Sequence, residues 1–300
     1  MSGNMGDMGD MGDMGDIGMA AMTAGGVFPL AADYPGSCIE KIWKIDNSGN
    51  WVMAYPPDGD LISSIRVPAP VWTGWDGRWH AWLILAQFAQ TDWREFKLPL
   101  WENSPDSIEL EITQLLKGAR AERRARLGEI IAQNARYEDF MGCFVGLMRI
   151  ARGSHPKMFQ ILHLAGIVGI LVSMYFKQNP GGDRLPRVRP TQICPALTPP
   201  IPVPGHPSFP SGHATQSMLM ALCAGHVLEQ RNGAQGGGEV WHPILQSMSQ
   251  RIARNRELAG FHYPSDSVAG FHLAQKTFEK LKTCTLFNEL VAEAIKEWPA

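Results

Sequence analysis

Apolar residues recur at the spacing of α-helices along most of the chain from residue 104 onward. The segment Ser104-Pro105-Asp106 has the features of a helix start, with a capping hydroxyl, proline at the first helical position and an early carboxylate. Ile108 and Ile112 follow on one helical face. Further helices are predicted over residues 79–90, 127–152, 158–176, 211–230, 241–258, 264–282 and 286–298. The pattern therefore predicts an all-α fold.

Residues 158–176 form the most apolar stretch, in which only Gln160, His163 and Ser173 are clearly polar. These nineteen residues are barely enough to cross a bilayer. No second stretch of comparable length and apolarity occurs. A single membrane-spanning helix would leave the candidate catalytic residues described below isolated. A central helix buried on all sides of a bundle is therefore favoured over a membrane span. His163 is then expected to be a hydrogen-bonded residue of the core.

The chain is predicted to form one domain behind a tail. Residues 1–26 repeat Met-Gly-Asp without apolar periodicity, so they are expected to be disordered, with a metal-binding tail as the lesser alternative. Residues 27–300 are expected to form a single helical domain, with an N-terminal half at 27–150 and an oxyanion-binding catalytic half at 151–285. The many tryptophans of the N-terminal half, which has a strand-like run at 61–67, either fill the core or offer an aromatic platform for substrate.

Composition excludes several classes of protein. The chain has 27 Lys and Arg against 29 Asp and Glu, so it lacks the positive excess of a nucleic-acid-binding protein or a polybasic membrane anchor. Its mean hydropathy of -0.13 is too low for a multi-span membrane protein. Five scattered cysteines indicate reduced thiols, and no signal peptide is recognisable. These features predict a cytoplasmic protein without a membrane partner, with room for a homo-oligomer.

Candidate chemistry is concentrated in three places. Lys177 ends the apolar helix and is followed by a 33-residue loop, 178–210, that contains ten prolines and three arginines. Ser211-Gly212-His213 opens a helix, where free N–H groups and the positive end of the helix dipole favour an anion. Gly212 lets the backbone approach a ligand closely. Cationic side chains supply charge-assisted hydrogen bonds to the oxygens of an oxyanion.

The third place runs from Arg256 to Asp266 and contains His262. Asp266 lies four residues after His262, across a proline that suits a helix start, so its carboxylate can reach the imidazole and fix its tautomer. Two histidines near cations allow one to bond a central atom and the other to move a proton. The residues alone therefore indicate an oxyanion site with His213 and His262 as its reactive groups.

These motifs resemble the tripartite signature of the superfamily that unites type 2 phosphatidic acid phosphatases, bacterial acid phosphatases and vanadium-dependent haloperoxidases. The resemblance covers roughly residues 164–270 and implies a helical bundle whose single pocket holds phosphate or vanadate. It implies that Lys177, Arg189 and Arg256 bind the equatorial oxygens, helped by Ser211, Gly212 and His213. It further implies that His262 bonds vanadium as the metal ligand or attacks phosphorus, and that His213 is the acid–base group.

Two positions depart from the family pattern. Eleven residues separate Lys177 from Arg189, where the family usually has six or seven. Arg184 lies at the shorter spacing but precedes leucine rather than proline, so Arg189 is the preferred candidate and Arg184 the alternative. Asn255 stands where serine is common, and its amide can still donate hydrogen bonds.

The shared pocket leaves two activities open. His206 lies five residues before Ser211 and resembles the second active-site histidine of vanadium bromoperoxidases, although a solvent-facing loop histidine is equally compatible. On this basis we predict a vanadium-dependent haloperoxidase that uses vanadate to oxidise halide with peroxide, with Lys177 and His206 among the catalytic residues. The alternative is a soluble acid phosphatase that hydrolyses phosphate esters through a phosphohistidine at His262. A non-catalytic anion-binding scaffold is the third possibility.

Overall fold

A computed structural model describes residues 43–45, 51–53, 77–134, 136–182, 184–232 and 240–298. The chain divides into two compact units, Met1–Trp72 and Thr73–Ala300. In the first unit, strands β1 (Trp43–Ile45) and β2 (Trp51–Met53) pair in antiparallel register, with Lys44 opposite Val52. The predicted tail at 1–26 and the strand-like run at 61–67 lie outside the described residues.

The second unit is helical throughout its described part. Its helices are α1 (Gly77–Phe88), α2 (Pro105–Ala121), α3 (Arg123–Ala132), α4 (Tyr137–Met148), α5 (Pro156–Gln178), α6 (Pro190–Ile193), α7 (Gly212–Asn232), α8 (Trp241–Leu258), α9 (Pro264–Leu281) and α10 (Thr285–Ile295). Short 3-10 turns occur at Trp93–Glu95 and Pro195–Leu197. The prediction of an all-α fold is confirmed.

Helices α5 and α7 form the centre of the bundle. Helix α7 packs against α5, α8 and α9, and α1 covers another side of α5. Both central helices are apolar on most of their circumference, because neighbours surround them. His163 of α5 is 4% exposed and its Nδ1 lies 3.2 Å from the Tyr137 hydroxyl, as expected for a core histidine. The central bundle thus fixes the C-terminal end of α5 beside the N-terminal end of α7.

Most predicted helices lie within a few residues of the observed ones, but the continuous helix over 127–152 is wrong. The chain ends α3 at Ala132 and begins α4 at Tyr137. A side-chain oxygen of Asp139 accepts a hydrogen bond from the Arg136 N–H at 3.0 Å, which stabilises a new helix start. The break leaves the carbonyl of Gln133 free of α3, and this carbonyl enters the candidate site described below.

The tryptophans of the described region follow the core interpretation only in part. Trp93 and Trp101 are 1% and 5% exposed, whereas Trp82 is 55% exposed. Trp101 packs against Phe209, with ring centroids 4.7 Å apart, next to the candidate site. It therefore supports the loop that carries the arginines.

Helix α9 crosses the start of α7 at close range because residue 270 has no side chain. A Cβ atom at Gly270 would lie 2.7 Å from the Ser211 carbonyl oxygen and 2.9 Å from the Ala214 Cβ. Both distances are shorter than side chains tolerate, and the first involves backbone that cannot move independently. The glycine therefore sets the distance between the helix that carries His213 and the helix that carries Asp266.

We expect Gly270→Ala to lower the free energy of unfolding by about 1–3 kcal/mol, because it overpacks the contact between α7 and α9. Chemical denaturation followed by circular dichroism measures this change. Gly128→Ala is the matched control, since nothing lies within 4 Å of its added Cβ and alanine is the better helix former. Equal stability of the Gly270→Ala variant and the native protein would contradict the close approach of the helices.

Candidate active site

Asp266 is the hub of the candidate site. It is fully buried and lies in the first turn of α9, where its Oδ2 accepts a hydrogen bond from the Tyr263 N–H at 3.0 Å. The Ser208 hydroxyl donates to the same oxygen, and His262 Nδ1 lies 3.4 Å from it. Arg187 donates to Oδ1 at 2.7 Å. Although burial raises the pKa of Asp266, the bond from His262 and the charge of Arg187 lower it to about 2.

This contact defines the tautomer of His262. A carboxylate can only accept, so Nδ1 carries the hydrogen and Nε2 carries the lone pair. Among the described residues, no hydrogen-bonding partner engages Nε2. Burial lowers the pKa of His262 to about 3, and the charges of Arg189 and Lys177 act in the same direction. The imidazole is therefore neutral in the neutral pH range, with a nucleophilic nitrogen available.

Lys177 organises the turn that precedes α7. Its ammonium is 2% exposed and donates to the carbonyls of Pro207 at 2.7 Å, Ser208 at 3.0 Å and Pro210 at 2.7 Å. An ammonium has three N–H groups, so all three are engaged. A direct bond from Lys177 to an oxyanion would require the exchange of one of these contacts. In this structure Lys177 contributes its positive charge to the site and holds the turn before α7 in place.

Arg189 lies against the backbone next to His262. It is 1% exposed, and it donates from Nη1 to the Phe261 carbonyl at 2.9 Å and from Nε to the His206 carbonyl at 3.0 Å. Nη2 lies 3.0 Å from His206 Nδ1. Two of its five N–H groups stay without a described acceptor. Arg184 instead donates to the Trp101 carbonyl and stacks on that ring, so the geometry favours Arg189 as the arginine of the first motif.

Arg256 presents unpaired donors inside the protein. It is 1% exposed, and its Nη1 donates to the carbonyls of Ile130 at 3.2 Å and Gln133 at 3.0 Å. Its Nε and Nη2 are buried without a hydrogen-bond partner among the described residues. Burial, together with the charge of Arg189, lowers the pKa of Arg256 to about 10, so it stays charged. Buried unpaired donors of a cation are costly and indicate the place of an anion.

His213 shares the Gln133 carbonyl with Arg256. Its Nε2 lies 2.9 Å from this oxygen, and its ring packs at 5.0 Å on Phe140. Because a carbonyl only accepts, Nε2 carries the hydrogen and Nδ1 is the atom free to exchange a proton. Desolvation, followed by the charge of Arg256, holds the pKa of His213 well below its usual range. An anion beside it would raise that pKa again.

The N-terminus of α7 completes the site. The Ser211 N–H donates to the Asp266 carbonyl at 3.0 Å, and the Ser211 hydroxyl accepts from Ala214 N–H at 3.4 Å. The N–H groups of Gly212 and His213 belong to the first helical turn and have no acceptor among the described residues. All three residues were predicted to bind the oxyanion, but their N–H groups differ. The N–H of Ser211 connects α7 to α9, whereas those of Gly212 and His213 are free to donate to a ligand.

The cluster is positively charged. In the described part of the chain its cations are Lys177, Arg187, Arg189 and Arg256, and its carboxylates are Glu111 and Asp266. Two positive charges are therefore uncompensated in a buried region, where an isolated charge is expensive. A dianion such as a phosphate group would balance them and would accept the free N–H groups of Arg256 and the helix terminus.

Three contributors to this arrangement had no role assigned from the sequence, of which Arg187 was placed among the loop arginines and Ser208 and Gln133 were missed. Ser208 binds Asp266, Arg187 links Asp266 to Glu111, and Gln133 supplies the carbonyl that orients His213. Asn255 was correctly expected to donate, and its Nδ2 reaches Glu129 at 3.0 Å and the Gln133 side chain at 2.9 Å. The three arginines close together in the loop could have indicated that one of them supports the site. The Gln133 contact uses a backbone carbonyl, which every residue type has, so the sequence does not indicate it.

Comparison with known proteins supports the family suggested by the motifs. A family model described as PAP2 superfamily matches residues 157–275, which include all three motifs. Over these residues the chain is similar to the PAP2 superfamily, in agreement with the resemblance of its motifs. A solved structure, described as the first transmembrane PAP2 type phosphatidylglycerolphosphate phosphatase from Bacillus subtilis, is similar over 77% of this chain and 91% of its own, with 15% identity and a TM-score of 0.32. No curated protein matches the chain in sequence.

Two predictions made from composition are wrong. We expected a cytoplasmic protein with no membrane partner. Helix α5 is the one helix of the described region that is long and apolar enough to cross a membrane, and the solved structure above is described as transmembrane. A low overall mean hydropathy does not exclude such a helix, because it averages a single apolar helix with polar loops and termini. Neither expectation is kept.

The match to the PAP2 superfamily also changes the balance between the two activities. The superfamily is enzymatic and consists mostly of phosphatases, so the match supports the phosphatase alternative better than the haloperoxidase prediction. His206, which favoured a peroxidase, is engaged by Arg189 through both its carbonyl and its Nδ1. These contacts position Arg189, and the catalytic role of His206 stays a prediction.

Proposed function

We propose that this PAP2 superfamily protein is a phosphomonoesterase that acts through a phosphohistidine at His262. The observation that carries the proposal is the pairing of a neutral His262, whose Nε2 is free, with the three unpartnered N–H groups of the buried Arg256. A nucleophile and an oxyanion-binding cation in one positively charged cluster are what phosphoryl transfer to histidine requires.

The first step forms the phosphoenzyme. The phosphate oxygens accept hydrogen bonds from Arg256, the free N–H groups of Arg189 and the backbone of Gly212 and His213. The Nε2 lone pair of His262 forms a bond to phosphorus as the ester P–O bond breaks. His213, protonated once the dianion is bound, transfers the proton from Nδ1 to the departing alkoxide. Asp266 stabilises the positive charge that develops on the His262 ring.

The second step returns the enzyme to its starting state. Neutral His213 removes a proton from water through Nδ1, and the water oxygen bonds to phosphorus as the P–N bond to His262 breaks. Inorganic phosphate leaves, and His262 regains its Nε2 lone pair. Lys177 acts in both steps through its charge and through its hold on the turn before Ser211.

Vanadate, the cofactor of the haloperoxidase alternative, would fit the same donors. It presents oxygens like those of phosphate, so Arg256 and the start of α7 would hold it, and His262 Nε2 would be its protein ligand. Bound vanadate would supply Lewis-acid activation of peroxide. The described donor set does not distinguish the two anions, so the assay must do so.

The test compares the protein before and after incubation with orthovanadate. We expect hydrolysis of p-nitrophenyl phosphate by the untreated protein, inhibition by vanadate, and no peroxide-dependent bromination of a phenol dye. Dye bromination by the vanadate-treated protein, with no phosphatase activity in the untreated one, would replace the proposal with the haloperoxidase alternative.

His213→Ala should slow hydrolysis in a way that depends on the leaving group. An alkyl phosphate needs its alkoxide protonated, so we expect kcat to fall by about 10²–10⁴-fold, the usual contribution of an acid–base group. p-Nitrophenolate leaves without a proton. The first step with p-nitrophenyl phosphate, which forms the phosphoenzyme, should therefore be slowed less by His213→Ala. Burst kinetics on both substrates measures the difference, and equal losses of the first step would remove His213 from the role of acid.

A further inference from the structure

Arg187 makes contacts unlike those of the other arginines in its loop. It is 6% exposed, and its Nη1 donates to Asp266 Oδ1 and to the Ser265 hydroxyl, each at 2.7 Å. Its Nη2 donates to Glu111 Oε2 at 2.6 Å. Because two carboxylates face this guanidinium, a bound phosphate would be repelled from it. Arg187 therefore contacts residues that support the site and does not bind the substrate.

Aromatic rings hold the plane of this guanidinium. Its Cζ lies 3.7 Å from the centroid of Tyr263 and 5.2 Å from that of Trp101. A planar fork fixed by rings and by two carboxylates has one orientation, so Arg187 can define the orientation of Asp266. Glu111 also accepts from the Ser265 N–H at 2.9 Å, which ties helix α2 to the start of α9.

The two oxygens of Asp266 have separate tasks. Oδ1 is held by Arg187, whereas Oδ2 faces His262 Nδ1 and also accepts from the Tyr263 N–H and the Ser208 hydroxyl. Rotation of the carboxylate would break all of these contacts together, so the ion pair at Oδ1 adds to the bonds that keep Oδ2 against the imidazole. The charged or titratable groups around this pair include Glu111 on α2, Lys177 on α5, Arg187 on the loop, Arg189 before α6, His213 on α7, Arg256 on α8 and Tyr263 before α9.

We propose that Arg187 is a positioning residue whose ion pair with Asp266 orients His262, so that Nε2 points at the phosphorus atom. The inference rests on the proposed phosphatase function. It assigns the arginine between the two motif candidates a role in the rate of phosphoryl transfer and none in binding the phosphate group. It also gives α2, through Glu111, an indirect part in catalysis.

Kinetics of Arg187 variants test the proposal. We expect Arg187→Met to lower kcat for p-nitrophenyl phosphate by about 10–100-fold, the range typical of lost outer-shell contacts, while KM and inhibition by inorganic phosphate change by less than about threefold. Arg187→Lys should recover part of kcat, because it restores the charge without the fork. Arg94→Met is the matched control, since Arg94 stacks on Trp93 with its Cζ 4.6 Å from that ring but lies on the surface.

A double-mutant cycle separates positioning from general stabilisation. If Arg187 acts through Asp266, Arg187→Met should lower kcat by less than about twofold in the Asp266→Asn background. The role is overturned if the losses of kcat in Arg187→Met and Asp266→Asn multiply in the double variant. It is also overturned if Arg187→Met leaves kcat unchanged, or weakens phosphate binding by the same factor as it lowers kcat.

Nitrogen-15 spectra of labelled histidines provide a readout that does not need turnover. His262, assigned with His262→Ala, should show a hydrogen on Nδ1 in the native protein and a changed tautomer balance in Arg187→Met. An unchanged His262 signal overturns the positioning role even if hydrolysis is observed. Absence of hydrolysis in the native protein overturns the proposed function, and the spectra then still decide whether Arg187 orients His262.

Discussion

His262→Ala should abolish hydrolysis of phosphate monoesters, with kcat reduced by at least ~10⁴-fold, since removal of a nucleophile leaves only binding and oxyanion stabilisation. The imidazole is buried, neutral and aligned by Asp266, so no neighbouring group has the same reach. Inhibition by inorganic phosphate should persist, because Arg256 and the start of α7 still bind its oxygens. Stopped assays with p-nitrophenyl phosphate and titration with phosphate measure the two effects.

Trapping of the intermediate makes this prediction specific. Radiolabelled phosphate should remain covalently attached to the native protein after an alkaline quench and be absent from His262→Ala. His226→Ala is the control, because His226 lies on α7 with its Nε2 2.7 Å from Gln230 Nε2, and no atom of the candidate site contacts it. Label retained by His262→Ala would show that another residue is the nucleophile.

Arg256→Met should remove most of the affinity for phosphate. Arg256 offers three buried N–H groups to the anion, and loss of a buried charged partner costs about 2–4 kcal/mol, which corresponds to ~30–1000-fold weaker binding. Native protein in saturating phosphate should unfold at a higher temperature than without it, because the anion binds only the folded state. The variant should lose that increase.

Arg251→Met is the matched control for this experiment. Arg251 is on the same helix, but its side chain is 49% exposed and pairs with Glu129 at the surface. Its variant should keep the full phosphate-dependent rise in Tm. A similar rise in Arg256→Met, whose fold is verified by circular dichroism, would show that the buried donors of Arg256 do not face the anion.

Local sequence signals predicted most of the helices and the contact between the two proposed catalytic residues His262 and Asp266. The cap at Ser104 is present, with its hydroxyl accepting from the Ser107 N–H at 3.3 Å, and the proline before Asp266 does begin α9. The spacing of His262 and Asp266 is local, so their contact followed from a helix start alone. The broken helix at Gln133 was missed because the capping of a new helix competes with apolar periodicity that continues across the break.

Contacts through backbone atoms account for what could not be predicted. Lys177 bonds to three carbonyls, Arg189 to those of Phe261 and His206, and Arg256 and His213 to that of Gln133. Any residue type supplies a carbonyl, so the sequence does not mark these partners. They nevertheless decide which N–H groups remain free and which nitrogen of His213 can move a proton.

The order of residues along the chain by itself predicted a helical protein and the cations and imidazoles of the candidate oxyanion site. Only the tertiary structure decided that all three N–H groups of Lys177 bond to the turn before α7, and that Arg256 has N–H groups without a partner among the described residues. The physical reason is that hydrogen-bond capacity is limited and is divided among neighbours that only tertiary packing brings within reach.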